Sequence, residues 1–234
     1  MKIAVLDLTS HPNVLDGKPR VWQQIAAWLS PALPEAEIVP FDVQDGGEAL
    51  PAPEVFDGLL VSGSELGVYD ETPWMVPLRE LLLATKEAGK PIYGICFGHQ
   101  IMADTFGGKA DLAGLGTQLG ARVFDMAGKS VNSLVWHQDQ VTKVPPGATV
   151  TARADYCPIG ALEYDFPAAS VQFHPEYREE TVQEYCRIFA GSELTEELVA
   201  AALSSLEDVK VAEDLQAAEA AAFFRAHVAA PAGT

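Results

Sequence analysis

The stretch KPIYGICFGHQIMADTFGGK, Lys90 to Lys109, decides the fold of this 234-residue chain. Its first part, Pro91 to Ile95, has the unbroken apolar composition of a short buried strand. Ile101, Met102 and Thr105 then recur at helical spacing, and the pair Gly107-Gly108 ends the pattern. The stretch therefore predicts a strand that runs directly into a helix, with Cys96 at the joint.

Cys96 lies between two glycines, in the order Gly94-Ile95-Cys96-Phe97-Gly98. A lone cysteine in a strand is most often a buried packing residue. The spacing glycine–x–nucleophile–x–glycine instead marks a sharp strand-to-helix turn, where flanking side chains would clash. Such a turn directs the first N–H groups of the helix at the thiol, which favours the thiolate and can bind a developing oxyanion. We interpret Cys96 as a nucleophile.

The first half of the chain alternates apolar strands with helical patterns. Lys2–Leu6, Ala36–Phe41 and the segment FDGLLVSGS are predicted strands, and helical stripes follow the first and the third of them. For the second of these helices, Thr72 is the predicted N-cap and Pro73 the first helical residue. Repeated strand–helix units predict a parallel sheet covered by helices.

The second half changes character after Gly108. Six short β-branched segments separated by turn signals predict largely antiparallel strands, and the last of them, AASVQFH, is predicted to run up to His174. From Pro175 onward the chain is acidic and helical, with Thr195 as the cap of one helix and residues 212–229 as the last helix. Only the final APAGT is predicted to be disordered.

Composition limits the functions that the chain can have. The chain has 15 Lys and Arg residues and 33 Asp and Glu residues, which gives a net charge of −18. We expect this charge to repel nucleic acid and anionic membranes. Three widely spaced cysteines, Cys96, Cys157 and Cys186, form neither a disulfide framework nor a metal or redox pair. The apolar start is too short for a signal peptide, and no run reaches membrane-spanning length. We therefore expect a cytoplasmic protein without a metal or cofactor.

A cysteine nucleophile needs a histidine base and a third group that orients the base. The strongest of five candidates is His174, in SVQFHPEY. Pro175 favours an extended conformation at His174, and residues two apart in an extended chain project to one side, so Glu176 is expected to pair with the imidazole. The alternative interpretation is a strand end followed by a helix with an N-terminal carboxylate.

His137 is the rival base, because Asp139 follows it by two residues in VWHQDQV. No proline fixes the geometry there, and we expect His137 to lie beside the pocket. Three histidines remain. His11 lies in a loop at the catalytic end of the sheet, His99 on the helix after Cys96, and His227 in the alanine-rich tail.

Taken together, these segments resemble the class I glutamine amidotransferase family. GICFGHQ is similar to its nucleophile segment, LLVSGS to its oxyanion loop, QFHPEY to its His-x-Glu segment and WHQDQV to its glutamine-pocket strand. The match runs from about Lys2 to Ile188 in the family's order and spacing. It implies a flavodoxin-like three-layer α/β sandwich with a mostly parallel central sheet, an amidotransferase-like domain at residues 1–190 and a helical extension at residues 191–234 packed on the same domain.

The resemblance implies a catalytic triad of Cys96, His174 and Glu176. Cys96 would attack the side-chain amide of a γ-glutamyl group and release ammonia or an amine through a glutamyl-thioester. The oxyanion donors that the resemblance implies are the N–H groups of Phe97, Gly63 and Ser64. The residues that it implies for contact with the glutamyl group are Gln100, Trp136 and His137.

Two departures from the family pattern affect the expected function. The oxyanion loop usually carries a second glycine and a proline, whereas this chain has Ser62-Gly63-Ser64-Glu65-Leu66, so Glu65 adds a negative charge near the mouth of the site. In addition, the segment after Ile188 is too short, and too poor in phosphate-binding glycine loops, for an ATP-dependent synthetase.

Three functional hypotheses follow from the sequence. The chain is an amidotransferase subunit that supplies ammonia to a separate synthetase, or a self-sufficient γ-glutamyl peptidase that acts on glutathione-like conjugates or γ-glutamyl amines. The third hypothesis is a non-catalytic or redox-sensing module, which would keep a reactive cysteine and discard the base. The His174–Glu176 pair argues against this third hypothesis.

Overall fold

The computed structural model describes residues 1–70, 72–207 and 209–228. Within these ranges the chain forms eleven strands and six α-helices. The strands are β1 (Lys2–Asp7), β2 (Glu37–Asp42), β3 (Gly58–Val61), β4 (Ile92–Ile95), β5 (Lys109–Leu112), β6 (Gln118–Met126), β7 (Lys129–His137), β8 (Asp139–Lys143), β9 (Ala148–Ala154), β10 (Cys157–Tyr164) and β11 (Ala168–Val171). The helices are α1 (Val21–Leu29), α2 (Met75–Glu87), α3 (Phe97–Thr105), α4 (Glu179–Phe189), α5 (Glu196–Ser205) and α6 (Glu213–His227).

Nine of the strands form one sheet in the order β2-β1-β3-β4-β11-β10-β9-β6-β7. The five strands from β2 to β11 are parallel, and the remaining four continue the sheet with antiparallel pairing. Strands β5 and β8 form a separate antiparallel pair. The structure confirms the predicted α/β class with its parallel core and smaller antiparallel part.

Helices cover both faces of the parallel strands, because successive strand residues point to opposite sides. Along β1, Ala4 and Leu6 pack in a core that includes α2 and α3. Ile3 and Val5 pack in a second core with α1 and α6. No helix in the described ranges is long and apolar enough to cross a membrane.

The C-terminal helices pack against the rest of the molecule. Ala220 and Phe224 of α6 are buried in the second core. Just before α6, the N–H of Ala212 donates to the carbonyl of Asn132 at 3.1 Å, so this segment lies along the edge strand β7. Thr195 caps α5 as predicted, accepting a hydrogen bond from the Leu198 N–H. The domain boundary at residue 190 stays a prediction, and the APAGT segment lies outside the described residues.

The structure corrects three details of the sequence interpretation. Helix α2 begins at Met75, and Thr72 accepts a hydrogen bond from the Met75 N–H through its backbone carbonyl, so Thr72 is not the N-cap. The last strand, β11, ends at Val171 rather than at His174 and pairs in parallel with β4. Strand β5 was not predicted, because its four residues, Lys109–Leu112, have no clear alternation.

The predicted turn between β4 and α3 is present. Cys96 has φ 52° and ψ −103°, a left-handed backbone conformation that residues other than glycine rarely adopt. A Cβ atom on Gly94 would lie 2.7 Å from the backbone of Gly98, and one on Gly98 would lie 2.3 Å from the carbonyl oxygen of Val61. Both positions therefore require glycine, since the turn packs directly against its own backbone and that of β3.

We expect Gly98→Ala to lower the free energy of unfolding by about 3 kcal/mol, because the added methyl group must displace β3 or the turn. Gly17→Ala is the control, since its Cβ would have no atom within 4 Å and only the positive φ is unfavourable, at about 1 kcal/mol. Urea unfolding of the two variants measures both values. Equal losses would contradict the tight packing inferred for the turn.

His99 attaches α3 to the sheet. Its Nδ1 lies 2.8 Å from the Ser170 hydroxyl and its Nε2 lies 3.1 Å from the carbonyl oxygen of Ile159, so Nε2 carries the hydrogen. Burial lowers the pKa of His99 to about 4. An unfolded histidine titrates near ~6.5, so the unfolded state binds more protons between the two values. The free energy of unfolding therefore falls as the pH is lowered from about 6.5 to about 4.

Replacing His99 with glutamine should remove this acid dependence, because glutamine keeps hydrogen-bonding groups but does not titrate. In urea unfolding at several pH values between 4 and 6.5, the slope of unfolding free energy against pH should decrease by about 1.4 kcal/mol per unit. His227→Gln changes an exposed histidine of α6 and should leave the slope unchanged. The same slope for His99→Gln and the wild type would rule out His99 as a source of acid sensitivity.

Candidate functional site

A cavity of about 420 Å³ lies at the carboxyl ends of the parallel strands. Residues that follow three neighbouring strands line this cavity. Gly63 and Ser64 follow β3, Cys96 follows β4, and His174 comes three residues after β11. Because parallel strands end at the same edge of a sheet, segments distant in sequence meet there. The structure thus brings the predicted nucleophile, base and oxyanion loop to one cavity.

Cys96 is 4% exposed and lies at the floor of the cavity. Its thiol donates a hydrogen bond to the Trp136 carbonyl, with 3.8 Å between sulfur and oxygen. The Gln172 side-chain amide donates to the sulfur at 3.7 Å. The sulfur therefore has a donor and an acceptor from two different strand ends, which fix its direction.

His174 and Glu176 form a buried pair. Nδ1 of His174 lies 2.7 Å from Oε1 of Glu176, and both side chains are almost fully buried. The ring of Tyr177 stacks on the imidazole, with 4.1 Å between ring centroids and 7° between planes. Burial disfavours the protonated imidazole, but the neighbouring Glu176 and Cys96 outweigh it and raise the pKa of His174 to about 10.

Gly63 lies close to both the imidazole and the turn at Cys96. A Cβ atom on Gly63 would lie 3.0 Å from Cε1 of His174 and 3.7 Å from Cβ of Cys96. The Nε2 atom of His174 is buried and has no hydrogen-bond partner among the described residues. The imidazole is therefore oriented through Nδ1, and its Nε2 is free to exchange a proton with a group in the cavity.

Three backbone N–H groups are candidates for binding an oxyanion: Gly63 and Ser64 line the cavity, and Phe97 directly follows Cys96. Those of Gly63, Ser64 and Phe97 form no hydrogen bond within the described part of the chain. The loop that carries the first two is held by Ser62, whose hydroxyl accepts from the Leu8 N–H at 2.9 Å and donates to the Gly63 carbonyl at 2.8 Å. The Gly98 N–H donates to the Ser62 carbonyl at 3.0 Å and joins this loop to the turn at Cys96.

Gln100 lies one helical turn after Cys96 and faces the cavity. Its side-chain amide donates to the Asp139 carbonyl at 3.0 Å and to Oε1 of Gln172 at 3.3 Å. Sequence reasoning missed Gln172, although it precedes His174 by two residues in the same extended segment. The spacing rule that linked His174 to Glu176 would have placed Gln172 on the same side.

The rival histidine, His137, has both ring nitrogens occupied. Nδ1 lies 2.9 Å from the Asp139 carbonyl oxygen rather than its carboxylate, and Nε2 lies 3.2 Å from the Tyr156 hydroxyl. Burial lowers the pKa of His137 to about 4, so the imidazole is neutral near pH 7. His137 lines the cavity without an orienting acid, and His11 lines it from the loop after β1.

Glu65 lines the mouth of the cavity and also holds two loops together. Its carboxylate accepts hydrogen bonds from the Ser10 N–H at 3.2 Å and from the Gln44 side chain at 2.5 Å. This departure from the family pattern therefore ties the oxyanion loop to the loop after β1.

An aromatic wall, which we define as Trp136, Tyr177, Tyr185 and Phe189, lines one side of the cavity. The Trp136 ring lies 5.4 Å from Tyr185 and 5.6 Å from Phe189. Sequence reasoning missed the last three of these residues. They lie in and before α4, where their spacing is that of ordinary core residues. Among the described residues, no group of three or more His, Cys, Asp or Glu side chains is arranged to hold a metal ion.

Comparison with known proteins identifies the family of the chain. The family model described as "Glutamine amidotransferase class-I" matches residues 18–189. The chain is 35% identical over 181 residues to "GMP synthase [glutamine-hydrolyzing]" of Bordetella avium, covering 70% of this chain and 33% of that protein. It is 32% identical over 143 residues to "Gamma-glutamyl peptidase 5" of Arabidopsis thaliana, covering 55% of this chain and 57% of the relative.

The chain thus spans 33% of the length of the first of these relatives and 57% of the second. A solved glutamine amidotransferase from Thermotoga maritima superposes with a TM-score of 0.74 over 98% of both chains, at 17% identity, which shows a shared fold. With the family match spanning most of the chain, the protein belongs to the class I glutamine amidotransferase family.

Proposed function

We propose that the protein hydrolyses the side-chain amide of a γ-glutamyl substrate through a Cys96–His174–Glu176 triad. The observation that carries this proposal is the buried His174–Glu176 pair, 2.7 Å apart, beside a cysteine held in a left-handed turn. A nucleophile, an oriented base and unpaired N–H donors are the groups that acyl transfer needs. Residues 1–190 would carry the reaction, and residues 191–234 would pack on the same domain.

The reaction begins when the Cys96 thiol gives its proton to Nε2 of His174 and the sulfur bonds to the amide carbon. The electrons of the carbonyl double bond move to its oxygen, which the N–H groups of Gly63, Ser64 and Phe97 stabilise. The carbon–nitrogen bond then breaks, its electrons stay on nitrogen, and His174 donates the proton that nitrogen takes up. A glutamyl-thioester remains. Water, deprotonated by His174, then bonds to the thioester carbon. The carbon–sulfur bond breaks, and His174 returns the proton to the sulfur, so glutamate and the free thiol are released.

Glu176 acts on the base rather than on the substrate. Its carboxylate fixes the imidazole tautomer through Nδ1 and stabilises the imidazolium that each step forms. The stacked ring of Tyr177 restricts rotation of the imidazole. Gln100 and the backbone of Trp136 and His137 are the proposed contacts of the glutamyl group, since they line the cavity next to Cys96.

The fate of the nitrogen distinguishes two versions of the proposal. The name of the Bordetella avium relative joins glutamine hydrolysis to a synthase, which supports release of ammonia to a separate synthetase partner. The Arabidopsis thaliana relative is named as a γ-glutamyl peptidase, which supports a reaction without a partner. The purified protein is given glutamine in one assay and glutathione in another. Turnover of glutathione without a partner favours the peptidase version, whereas weak glutamine hydrolysis with no cleavage of glutathione favours the version with a synthetase partner.

Cys96→Ala should abolish product release and the glutamyl adduct, because no thioester can form. Release of glutamate and intact-mass detection of the adduct measure the two effects. Cys186→Ala is the matched control, since Cys186 is also fully buried but lies in α4 away from the cavity lining. Unchanged turnover in Cys96→Ala, or specific loss in a folded Cys186→Ala, would refute the assignment of the nucleophile.

His174→Ala should slow alkylation of Cys96 by iodoacetamide near pH 7, because the thiolate loses its imidazolium partner. We expect a decrease of about tenfold or more, in line with the reactivity that paired cysteines owe to a neighbouring histidine. Peptide mass mapping identifies the alkylated cysteine, and His227→Ala serves as control. If both variants reacted at the wild-type rate, the base would have to be another residue, with His137 tested next.

A further inference from the structure

The aromatic wall extends from the proposed base into helix α4. Tyr177 stacks on His174, the Tyr185 ring lies 5.8 Å from Tyr177, and Phe189 lies 6.2 Å from Tyr185. In the proposed reaction His174 donates a proton to the departing nitrogen, so the leaving amine must lie on the His174 side of Cys96. The leaving amine is therefore the part of the substrate that faces the aromatic wall.

Apart from His174, whose pKa is raised to about 10, the charged side chains that line the cavity are acidic. Within the described residues they are Glu65, Asp139 and Glu193, and neither lysine nor arginine lines it. The basic residues nearest along the chain are engaged elsewhere: Lys18 pairs with Glu184 at 2.5 Å, and Arg20 pairs with Asp42 at 2.8 Å. Beyond His174, which is placed at the bond that breaks, a carboxylate at the far end of the leaving group would meet no lysine or arginine in the cavity lining.

The three carboxylates are not equivalent. Glu65 accepts hydrogen bonds from Ser10 and Gln44, and Asp139 accepts one from the Tyr69 hydroxyl at 3.2 Å. Glu193 is exposed at the rim and forms no hydrogen bond or ion pair with any described residue. It is the carboxylate that a ligand can engage without breaking an existing contact.

We infer that the leaving amine of the substrate carries a second, positively charged amino group, as in the γ-glutamyl amides of aliphatic diamines. This inference rests on the proposed function. The ammonium group lies against the faces of the aromatic wall, where cations are attracted to the ring electrons. Its charge is balanced by Glu193, and its methylene chain covers the apolar ring surface. The volume of about 420 Å³ falls in the range of drug-sized ligand sites and accommodates more than glutamine.

Three amides of matched length isolate the charge of the leaving group. They are the γ-glutamyl amides of 1,4-diaminobutane, pentylamine and 4-aminobutyrate, whose far ends are positive, neutral and negative. Calorimetric titration into the Cys96→Ala variant measures binding without turnover. We expect the cationic amide to bind more tightly than the neutral one, and more tightly than the anionic one by about tenfold or more.

Glu193→Gln, made in the Cys96→Ala background, tests the partner of the ammonium group. It should weaken binding of the cationic amide about two- to fivefold, as expected for a solvent-exposed ion pair, and leave the neutral amide unaffected. Glu54→Gln in the same background is the matched control. It removes one negative charge from the turn Pro53–Val55, at the opposite end of β3 from Gly63.

The outcomes separate this inference from the proposed function. Equal binding of the three amides, tighter binding of the anionic amide, or no effect of Glu193→Gln would overturn the inference. Hydrolysis of all three amides by the wild type at equal efficiency would overturn it as well and leave the proposed function standing. If the wild type formed neither product nor adduct with any amide while the cationic one still bound best, the proposed function would fail and the binding preference would stand.

Discussion

Two backbone hydrogen bonds hold the turn at Cys96 between its neighbouring segments. The Cys96 N–H donates to the Val171 carbonyl of β11 at 2.8 Å, and the Gly98 N–H donates to the Ser62 carbonyl after β3 at 3.0 Å. These bonds fix a residue in a left-handed conformation that would otherwise relax. They also set the distances from the thiol to the imidazole and to the unpaired N–H groups, because those groups lie on the same two segments.

Burial of the His174–Glu176 pair gives the site its electrostatic character. Removing two charges from water is unfavourable, and here the attraction between the charges and a short hydrogen bond compensate for part of that loss. Oε2 of Glu176 has no partner among the described residues, so the carboxylate is only half satisfied and depends on the imidazolium. The carboxylate thereby stabilises positive charge on His174, in keeping with the raised pKa of that imidazole.

The sequence predicted the features that depend on local order. The strand–turn–helix around Cys96 follows from glycines at fixed spacing. The pairing of His174 with Glu176 was predicted from an extended chain, whereas the structure forms a turn there, in which the Tyr177 N–H donates to the His174 carbonyl at 3.2 Å. What it did not predict depends on contacts between distant segments. The Trp136 carbonyl reaches the thiol from an edge strand, and Gln172 reaches it from beyond β11. The aromatic wall combines Trp136 of β7 with residues before and within α4. Spacing alone does not distinguish such residues from the core residues around them.

The segment before α6 lies along the edge strand β7, where the Ala212 N–H meets the Asn132 carbonyl and the Asn132 side-chain amide donates to the Lys210 carbonyl at 3.3 Å. An uncovered edge strand offers unpaired backbone groups to other chains and promotes aggregation. The C-terminal part of the chain therefore has a protective role besides its packing role. It occupies the backbone of β7 at Asn132, on the same strand whose Trp136 carbonyl meets the thiol, and so leaves less of that edge free to pair with a second molecule.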